Sequence, residues 1–574
     1  MKKALPVGVV IALTLSVGLT ACSGTGGTSP SSSSSSPGNS EPMVVEGAWD
    51  INEQPASAVK DGGTFTGVVS SEIATWNLMS ADGNDLEMTW MQSSLSGSWY
   101  RINGAGNSTM NPDYLASMDD SMVNGQLVLK FSINPKAVWG DGAPITWADW
   151  EATWKALNGD NADYSIADSE GWNQIESVAK GATDRDVVIT FKAAYPDWTA
   201  LLAGVPTVLR AESCATADTF NNGWKDFNKA WYSGPFTVTS YDASSTTVTM
   251  EPNPLWWGNK PKLDKIVFKY VSFDQQPTAF ANGETDFVDV SSNTAGYALV
   301  AATPNTDVRN APGPNFRHIT FNSKSPALSD LKVREAIAQG IDRDAIAASD
   351  LAGMPITPDS VRKNSNLFMQ TQEGYTDWAA KTGIKYDPAA AKATLEGDGY
   401  TMGPNGFYQK DGQDLTIRFA MLSNTPASEN EYQMVSAQLK QIGINVTQQV
   451  VNTQTDWPGV LTSYNFDIIA FAWMGTAWPL RDIGQIYGTG SDSNFAQLTI
   501  PTVDTLIPQI ATETDPAKRL TLAQQADQAI WEAVHTLPLY ERPSLIATPS
   551  NLANFGSWGM AQFPQDWTII GFTS

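Results

Sequence analysis

Short apolar strand patterns alternate with capped amphipathic helices through the second half of the chain, and this alternation restricts the possible folds most. In the helical segments, apolar residues recur every three or four positions behind a capping residue, whereas the strand segments are short runs rich in β-branched and aromatic residues. The predicted helices are 329–351, 388–396, 429–442 and 516–534, and the predicted strands are 317–322, 415–422, 444–451 and 466–473. Strands that alternate with helices predict a mixed α/β protein.

The composition argues against several classes of function. The 60 acidic and 35 basic residues give a net charge of -25, which repels phosphate backbones and makes nucleic acid an unfavourable partner. The chain has only 2 histidines, His318 and His535, and 2 cysteines, Cys22 and Cys214. These leave almost no material for a metal cluster or a Ser-His-Asp triad, so we expect no metal and no cofactor. An enzyme remains an alternative, but no spacing among the carboxylates marks an acid/base pair.

The N-terminus has the pattern of a secretory signal. Two lysines precede an uncharged run from Ala4 to Ala21, which is short and rich in small residues. The run ends in Leu19-Thr20-Ala21-Cys22, which resembles the bacterial lipobox and implies a signal peptide over 1–21 and a lipid on Cys22. The alternative is an ordinary signal with a coincidental cysteine. The Ser/Gly/Pro-rich segment that follows predicts a flexible tether over 22–61, and hence a lipid-anchored body on the extracytoplasmic face of the cell membrane.

Nothing after the signal contains eighteen consecutive apolar residues, so no other membrane span is predicted. Because Cys22 would be acylated, Cys214 has no partner for a disulfide. We expect Cys214 to be a buried small apolar residue rather than a reactive thiol, since no histidine or cluster of basic residues lies beside it in sequence.

Several short motifs occur in a fixed order from Gly62 to the C-terminus. Each motif alone is typical of a loop or a helix end, so their joint order carries the information. They are Gly62-Gly63-Thr64, the turn 139–146, Asn253-Pro254-x-x-Trp257-Gly258, Lys260–Ile266, Gly283-Glu284-x-Asp286, Val333–Ala336, Ile341-Asp342-Arg343, Tyr386-Asp387-Pro388 and Leu537–Tyr540. In this order they resemble the extracytoplasmic solute-binding proteins of family 5, the oligopeptide- and dipeptide-binding lipoproteins of ABC importers.

The resemblance implies a two-lobed α/β fold like that of periplasmic binding proteins, with an extra subdomain in the first lobe and a ligand cleft between the lobes. The implied divisions are 62–84, 200–316 and 535–574 for the first lobe, 85–199 for the inserted subdomain and 317–534 for the second lobe. The segments 317–322 and 535–540 would then lie at the hinges, which gives His318 and His535 a structural role. The resemblance also implies a monomer without catalytic activity.

The resemblance also locates a candidate binding site. The segment 471–479 matches the loop that enters the cleft from the second lobe, where Trp473 and Trp478 would either contact the ligand or simply pack. Peptide binders of the family carry an aspartate in this loop that pairs with the peptide amine, and Thr476 occupies that place here. Asp482 is either a substitute for it or a solvated loop residue. The predicted ligand-binding residues are Trp473, Thr476, Trp478, Trp76, Asn77 and Tyr540.

The implied function is capture of oligopeptides outside the membrane and their delivery to ABC permease subunits by lobe closure. A second interpretation keeps the fold and changes the ligand to an oligosaccharide, a glycolipid or another small molecule. The scarcity of histidine weighs against bare metal or haem. A third interpretation is a regulatory partner at the membrane that has lost transport, favoured only by the missing aspartate.

Overall fold

The computed structural model describes residues 48–573 apart from 424, 454 and 455. The predicted signal peptide, Cys22 and the tether as far as residue 47 lie outside the described residues. Among the described helices, none combines the length and the apolar character needed to cross a bilayer.

The strands and helices are numbered in chain order. The strands are β1 (Thr64–Val69), β2 (Tyr100–Ile102), β3 (Ser108–Met110), β4 (Leu115–Val123), β5 (Gln126–Ile133), β6 (Ile175–Lys180), β7 (Asp186–Phe191), β8 (Phe236–Asp242), β9 (Thr247–Pro252), β10 (Lys265–Tyr270), β11 (Val288–Asp289), β12 (Thr306–Ala311), β13 (Asn315–Phe321), β14 (Thr401–Met402), β15 (Tyr408–Lys410), β16 (Gln413–Asp414), β17 (Thr416–Leu422), β18 (Asn445–Val451), β19 (Ile468–Met474), β20 (Thr536–Glu541), β21 (Ser544–Pro549), β22 (Leu552–Ala553) and β23 (Gly571–Phe572). The helices are α1 (Leu86–Gln92), α2 (Trp147–Leu157), α3 (Thr199–Ala203), α4 (Ala217–Asn222), α5 (Gln276–Ala281), α6 (Thr294–Ala301), α7 (Leu331–Gly340), α8 (Arg343–Asp350), α9 (Trp378–Thr382), α10 (Pro388–Gly397), α11 (Pro426–Gln441), α12 (Trp457–Thr462), α13 (Ile483–Tyr487), α14 (Pro501–Thr512) and α15 (Pro516–Glu532).

Separate sheets build two lobes and a subdomain. The first lobe contains the sheet β1-β10-β9-β8 and the sheet β11-β21-β12. The second lobe is built on the five-stranded sheet β18-β17-β19-β13-β20, in which β17 runs parallel to both β18 and β19. The inserted subdomain is the antiparallel sheet β4-β5-β7-β6 with α2 against it. The predicted mixed α/β class is therefore confirmed.

The chain crosses between the lobes at two adjacent places. One crossing joins β12 to β13, and the other joins β20 to β21 through Arg542 and Pro543. They run so close together that a Cβ on Gly313 would lie 2.3 Å from the Arg542 carbonyl oxygen, so only glycine fits there. Because β20 pairs with β13, Thr536–Glu541 belongs to the second lobe's sheet, although the predicted division had placed 535–574 in the first lobe.

The helix predicted over 329–351 is in fact two helices. The aspartates Asp330 and Asp342 cap α7 and α8, each accepting hydrogen bonds from backbone amides, so the expected start at Ser329 was wrong. The break falls at Ile341, which is extended and buried, and it redirects the chain between the two caps. The Asp-Pro pairs at 387–388 and 515–516 predict a capping aspartate and a first-turn proline for the helices 388–396 and 516–534, and the structure confirms Asp387 and Asp515 as those caps.

The predicted tether extends too far towards the body. Asp50 exchanges two backbone hydrogen bonds of 2.8 Å with Ser557, and Ile51 and Val59 are only 6% and 3% exposed. These apolar residues interrupt the Ser/Gly/Pro composition and gain free energy by burial against the first lobe. Residues 48–61 are therefore part of the folded body.

Cys214 and the two histidines, the residues with most potential for catalysis or metal binding, are buried. Cys214 is a free, buried thiol, and burial raises its pKa to about 12, which confirms the predicted apolar role. Both histidines are buried. The pKa of His318 is held well below its ordinary value, mainly by burial, and that of His535 falls to about 3 for the same reason. Both rings are therefore neutral at physiological pH.

Candidate functional site

Two adjacent cavities lie where the lobes meet. The hinge cavity has a volume of about 110 Å³, and the loop cavity has a volume of about 40 Å³. The hinge cavity is lined by residues that include Leu86, Trp90, Asp289, Asn315, Met474, Arg542, Trp558 and Gln562. The loop cavity is lined by residues that include Phe316, Met369, Trp473, Met474, Thr476, Asp482 and Ile483. Because Met474 borders both, the two cavities form one candidate site.

Strand β19 and the loop that follows it place Trp473 and Thr476 at the loop cavity. Trp473 pairs with Phe316 of β13, and its ring lies nearly parallel to those of His318 and Phe495, with centroids 6.1 Å and 5.9 Å away. These neighbours fix the ring before any ligand arrives. Thr476 follows the end of the strand, and its carbonyl oxygen accepts a hydrogen bond of 2.8 Å from the Gln372 side chain. The site thus combines a fixed aromatic wall with a loop whose backbone is held in place.

Asp482 is the one carboxylate among the residues that line the loop cavity. Within the ranges that the structure describes, its carboxylate makes no hydrogen bond or ion pair. Burial raises the pKa of Asp482, while the nearby charge of Arg481 opposes the rise. Arg481 itself pairs with Asp168. Asp482 is half-buried and its carboxylate has no partner among the described residues, so the ligand-anchor and solvated-loop interpretations both stay predictions.

Trp478 does not line either cavity and instead connects the two halves of the molecule. Its indole Nε1 donates a hydrogen bond of 2.9 Å to the Thr199 hydroxyl, and its ring packs against the apolar core of the first lobe. This contact exists only while the lobes are together.

Trp76 and Asn77 lie inside the first lobe. Trp76 is fully buried and meets Phe227 and Tyr241 edge-on, at centroid distances of 5.1 Å and 5.5 Å. The Asn77 amide donates a hydrogen bond of 2.9 Å to the Phe220 carbonyl. Neither residue lines the hinge cavity or the loop cavity, so these contacts are those of packing residues, and ligand contact by either stays a prediction.

Tyr540 belongs to β20 and does not line the loop cavity. Its hydroxyl donates a hydrogen bond of 2.9 Å to Asp350, whose pKa is raised to about 7 by burial and by the charge of Glu431. Both residues border a third cavity of about 170 Å³, which we call the rear cavity. Arg542 also lines the rear cavity, so the hinge and rear cavities meet at this residue.

Two ion pairs that the sequence did not predict join the second lobe to the region of the inserted subdomain. Arg481 pairs with Asp168, and Arg519 makes a bidentate pair with Asp197, in which one bond is 2.9 Å. The partners are 313 and 322 residues apart in sequence, so no local signal could have revealed them. In the described part of the chain, no group of three or more His, Cys, Asp or Glu residues could hold a metal ion.

The geometry matches known proteins over most of the chain. A family model described as "Bacterial extracellular solute-binding proteins, family 5 Middle" matches residues 110–495. This chain belongs to that family. It is 33% identical over 524 residues to the oligopeptide-binding protein OppA of Mycobacterium tuberculosis (strain ATCC 25618 / H37Rv), which covers 91% of this chain and 87% of OppA.

Two solved structures have the same fold. The periplasmic EDTA-binding protein EppA superimposes with a TM-score of 0.83 at 24% identity, covering 92% of this chain and 98% of EppA. The oligopeptide-binding protein AppA of Bacillus subtilis, in complex with a nonapeptide, gives a TM-score of 0.71 at 19% identity, covering 90% and 100%. The chain is therefore a two-lobed, extracytoplasmic solute-binding component of the kind used by ABC importers, a class of transport proteins that carry out no catalysis.

Proposed function

We propose that this protein is a lipid-anchored, monomeric receptor that captures oligopeptides outside the membrane and delivers them to the permease subunits of an ABC importer. The family membership and the likeness to OppA support the transport role, and the composition of the site supports the ligand class. A lipid on Cys22 would keep the receptor beside its permease.

The observation that carries the proposal is the unpaired carboxylate of Asp482 beside the aromatic wall of Trp473. A half-buried carboxylate without a protein partner gains from a cation that arrives with the ligand, because closure around the ligand removes both charges from water together. A peptide supplies such a cation at its N-terminus, and its side chains can pack on the aromatic ring. We therefore assign to Asp482 the part that the family's loop aspartate plays, six positions beyond Thr476.

The size of the cavities indicates how a peptide enters. Pockets for small organic ligands generally measure about 300–1,000 Å³, whereas the hinge cavity and the loop cavity measure about 110 Å³ and 40 Å³. An extended peptide therefore needs the lobes to part, which breaks the contacts of Trp478, Arg481 and Arg519 across the cleft. Binding then closes the lobes again, and these contacts favour the closed form.

Calorimetry with the purified protein tests the ligand class. We expect saturable binding of peptides from a panel of two to nine residues, and no binding of neutral oligosaccharides. Bound peptide should also raise the melting temperature, since ligand at a hundred times its Kd stabilises the folded state by about 2.7 kcal/mol. If oligosaccharides bind and no peptide does, the peptide assignment is wrong and the interpretation with another solute replaces it.

A further inference from the structure

Arg542 occupies an unusual place in the fold. It follows β20 and directly precedes the first lobe, and its backbone amide donates a hydrogen bond of 2.7 Å to the Asn315 carbonyl on the neighbouring crossing. A group at a hinge stays near both lobes whether they are open or closed. Its side chain can therefore meet a ligand early in binding.

The side chain of Arg542 is buried without a partner. The residue is only 7% exposed, yet across the part of the chain that the structure describes its guanidinium makes no hydrogen bond and no ion pair. The other buried arginine among the described residues, Arg334, is satisfied, since its guanidinium donates to the carbonyls of Leu328, Ser329 and Ala533. The half-buried Arg317 pairs with Glu431. A guanidinium carries five donors, and none of the Arg542 nitrogens is fully enclosed by protein, so these donors are open to a ligand in the cavities that the residue lines.

The acidic residues that line the same cavities do not form an ion pair with Arg542. Asp289 lines the hinge cavity too, but it lies beyond ion-pair distance and accepts its hydrogen bonds from the Ser291 backbone amide and hydroxyl. Burial raises the pKa of Asp289, with Arg542 only partly opposing the rise. On the other side, Asp350 of the rear cavity accepts from Tyr540 and from the Asn430 amide. Both acids are thus engaged elsewhere, and Arg542 borders open space in two cavities.

We infer that Arg542 is the anion-binding residue of this cleft and takes a carboxylate of the ligand in the hinge cavity. The inference rests on the proposed function, because it names a second charged anchor for the same peptide. A carboxylate matches the planar fork of a guanidinium and satisfies two donors at once. The carboxylate comes either from the C-terminus of a short peptide or from an acidic side chain of a longer one. Because Arg542 is hydrogen-bonded to Asn315 at the neighbouring crossing, a ligand bound to Arg542 is connected to both crossings between the lobes.

Matched peptides test the inference by calorimetry. One set compares a peptide with a free C-terminus and the same peptide as its C-terminal amide, and a second set compares an acidic side chain with its amide. In the wild type, removing the relevant carboxylate should weaken binding by about tenfold to a hundredfold, the usual effect of a charge-assisted hydrogen bond. The set that shows the loss identifies the source of the carboxylate.

Variants show whether Arg542 is responsible. Arg542→Gln should bind the acid and amide forms equally well, whereas Arg542→Lys should keep part of the preference. Arg418→Gln, which removes a half-exposed arginine of β17 that pairs with Asp467, should behave like the wild type. Circular dichroism and the melting temperature establish that each variant folds. A preference for the acid form that persists in folded Arg542→Gln overturns the inference and leaves peptide binding intact.

The inference can also be separated from the peptide proposal. If the wild type binds no peptide, the proposed function is wrong. The anion site is then tested with a small dicarboxylate, glutarate. Glutarate should then raise the melting temperature of the wild type and not that of Arg542→Gln. Equal shifts in both proteins, or no shift in either, would overturn the anion site as well.

Discussion

Replacing Asp482 by asparagine tests the proposed amine anchor most directly. The side chain keeps its shape, so the aromatic wall and the backbone of the loop should stay in place, and only the charge is lost. The carboxylate has no protein partner within the described residues, so its removal breaks no internal ion pair and should leave stability unchanged or slightly increased.

The size of the effect follows from the type of bond. A hydrogen bond to a charged group contributes about 1.5–3 kcal/mol, which corresponds to roughly ten- to hundredfold in affinity. We therefore expect N-acetylation of a peptide to weaken binding to the wild type by about this factor. For Asp482→Asn, the free and acetylated peptides should bind within about threefold of each other. Asp492→Asn, at an exposed loop position of the same lobe, is the matched control and should keep the wild-type preference.

The pH dependence gives a second readout. Burial raises the pKa of Asp482, so in the free protein the carboxylate takes up a proton at a higher pH than usual. Binding of an ammonium group requires the ionised form. Affinity for the free peptide should therefore fall as the pH is lowered through this raised pKa, while affinity for the acetylated peptide stays flat. If Asp482→Asn still loses affinity on acetylation, the amine pairs with another acid and the assignment is refuted.

Three further predictions concern closure, proton linkage and anchoring. Arg519→Gln leaves Asp197 buried and unpaired in the closed form, which costs about 2–5 kcal/mol, so peptide affinity should fall at least tenfold. In calorimetry, the double variant Arg519→Gln with Asp197→Asn should recover part of this loss. Purely additive losses in the two single variants would contradict a role of the pair in closure. The pKa of about 7 for Asp350 lies above its ordinary value of 3.8, so this group should make the free energy of unfolding fall as the pH rises between these values, by at most about 1.4 kcal/mol per pH unit. In urea titrations, the free energy of unfolding of Asp350→Asn should depend less steeply on pH than that of the wild type. An unchanged slope would contradict the raised pKa. Cys22→Ser should abolish lipid labelling and release a folded body from the membrane fraction, and equal membrane retention of both proteins would contradict the anchor.

Local patterns predicted several of the helices and strands of the second lobe. The Asp-Pro signals before α10 and α15 predicted both helix starts, because a capping aspartate and a first-turn proline act within a few residues. The strands β13, β17 and β19 also lie where the apolar runs predicted them, within two residues. The errors have a local cause as well. Asp342 provides a second cap inside one continuous helical pattern, and a few apolar residues end the tether before position 61.

The sequence by itself determined the class, the family and the loop that enters the cleft, since these depend on motifs and periodicity that are read along the chain. Only the tertiary structure decided what each side chain does. It placed Trp76 in a core and Trp478 across the lobes, and it left the half-buried Asp482 and the buried Arg542 without side-chain partners among the described residues. The reason is physical: whether a charge is paired depends on groups hundreds of residues away, and on how much water the surrounding lobes exclude. A linear pattern carries neither quantity.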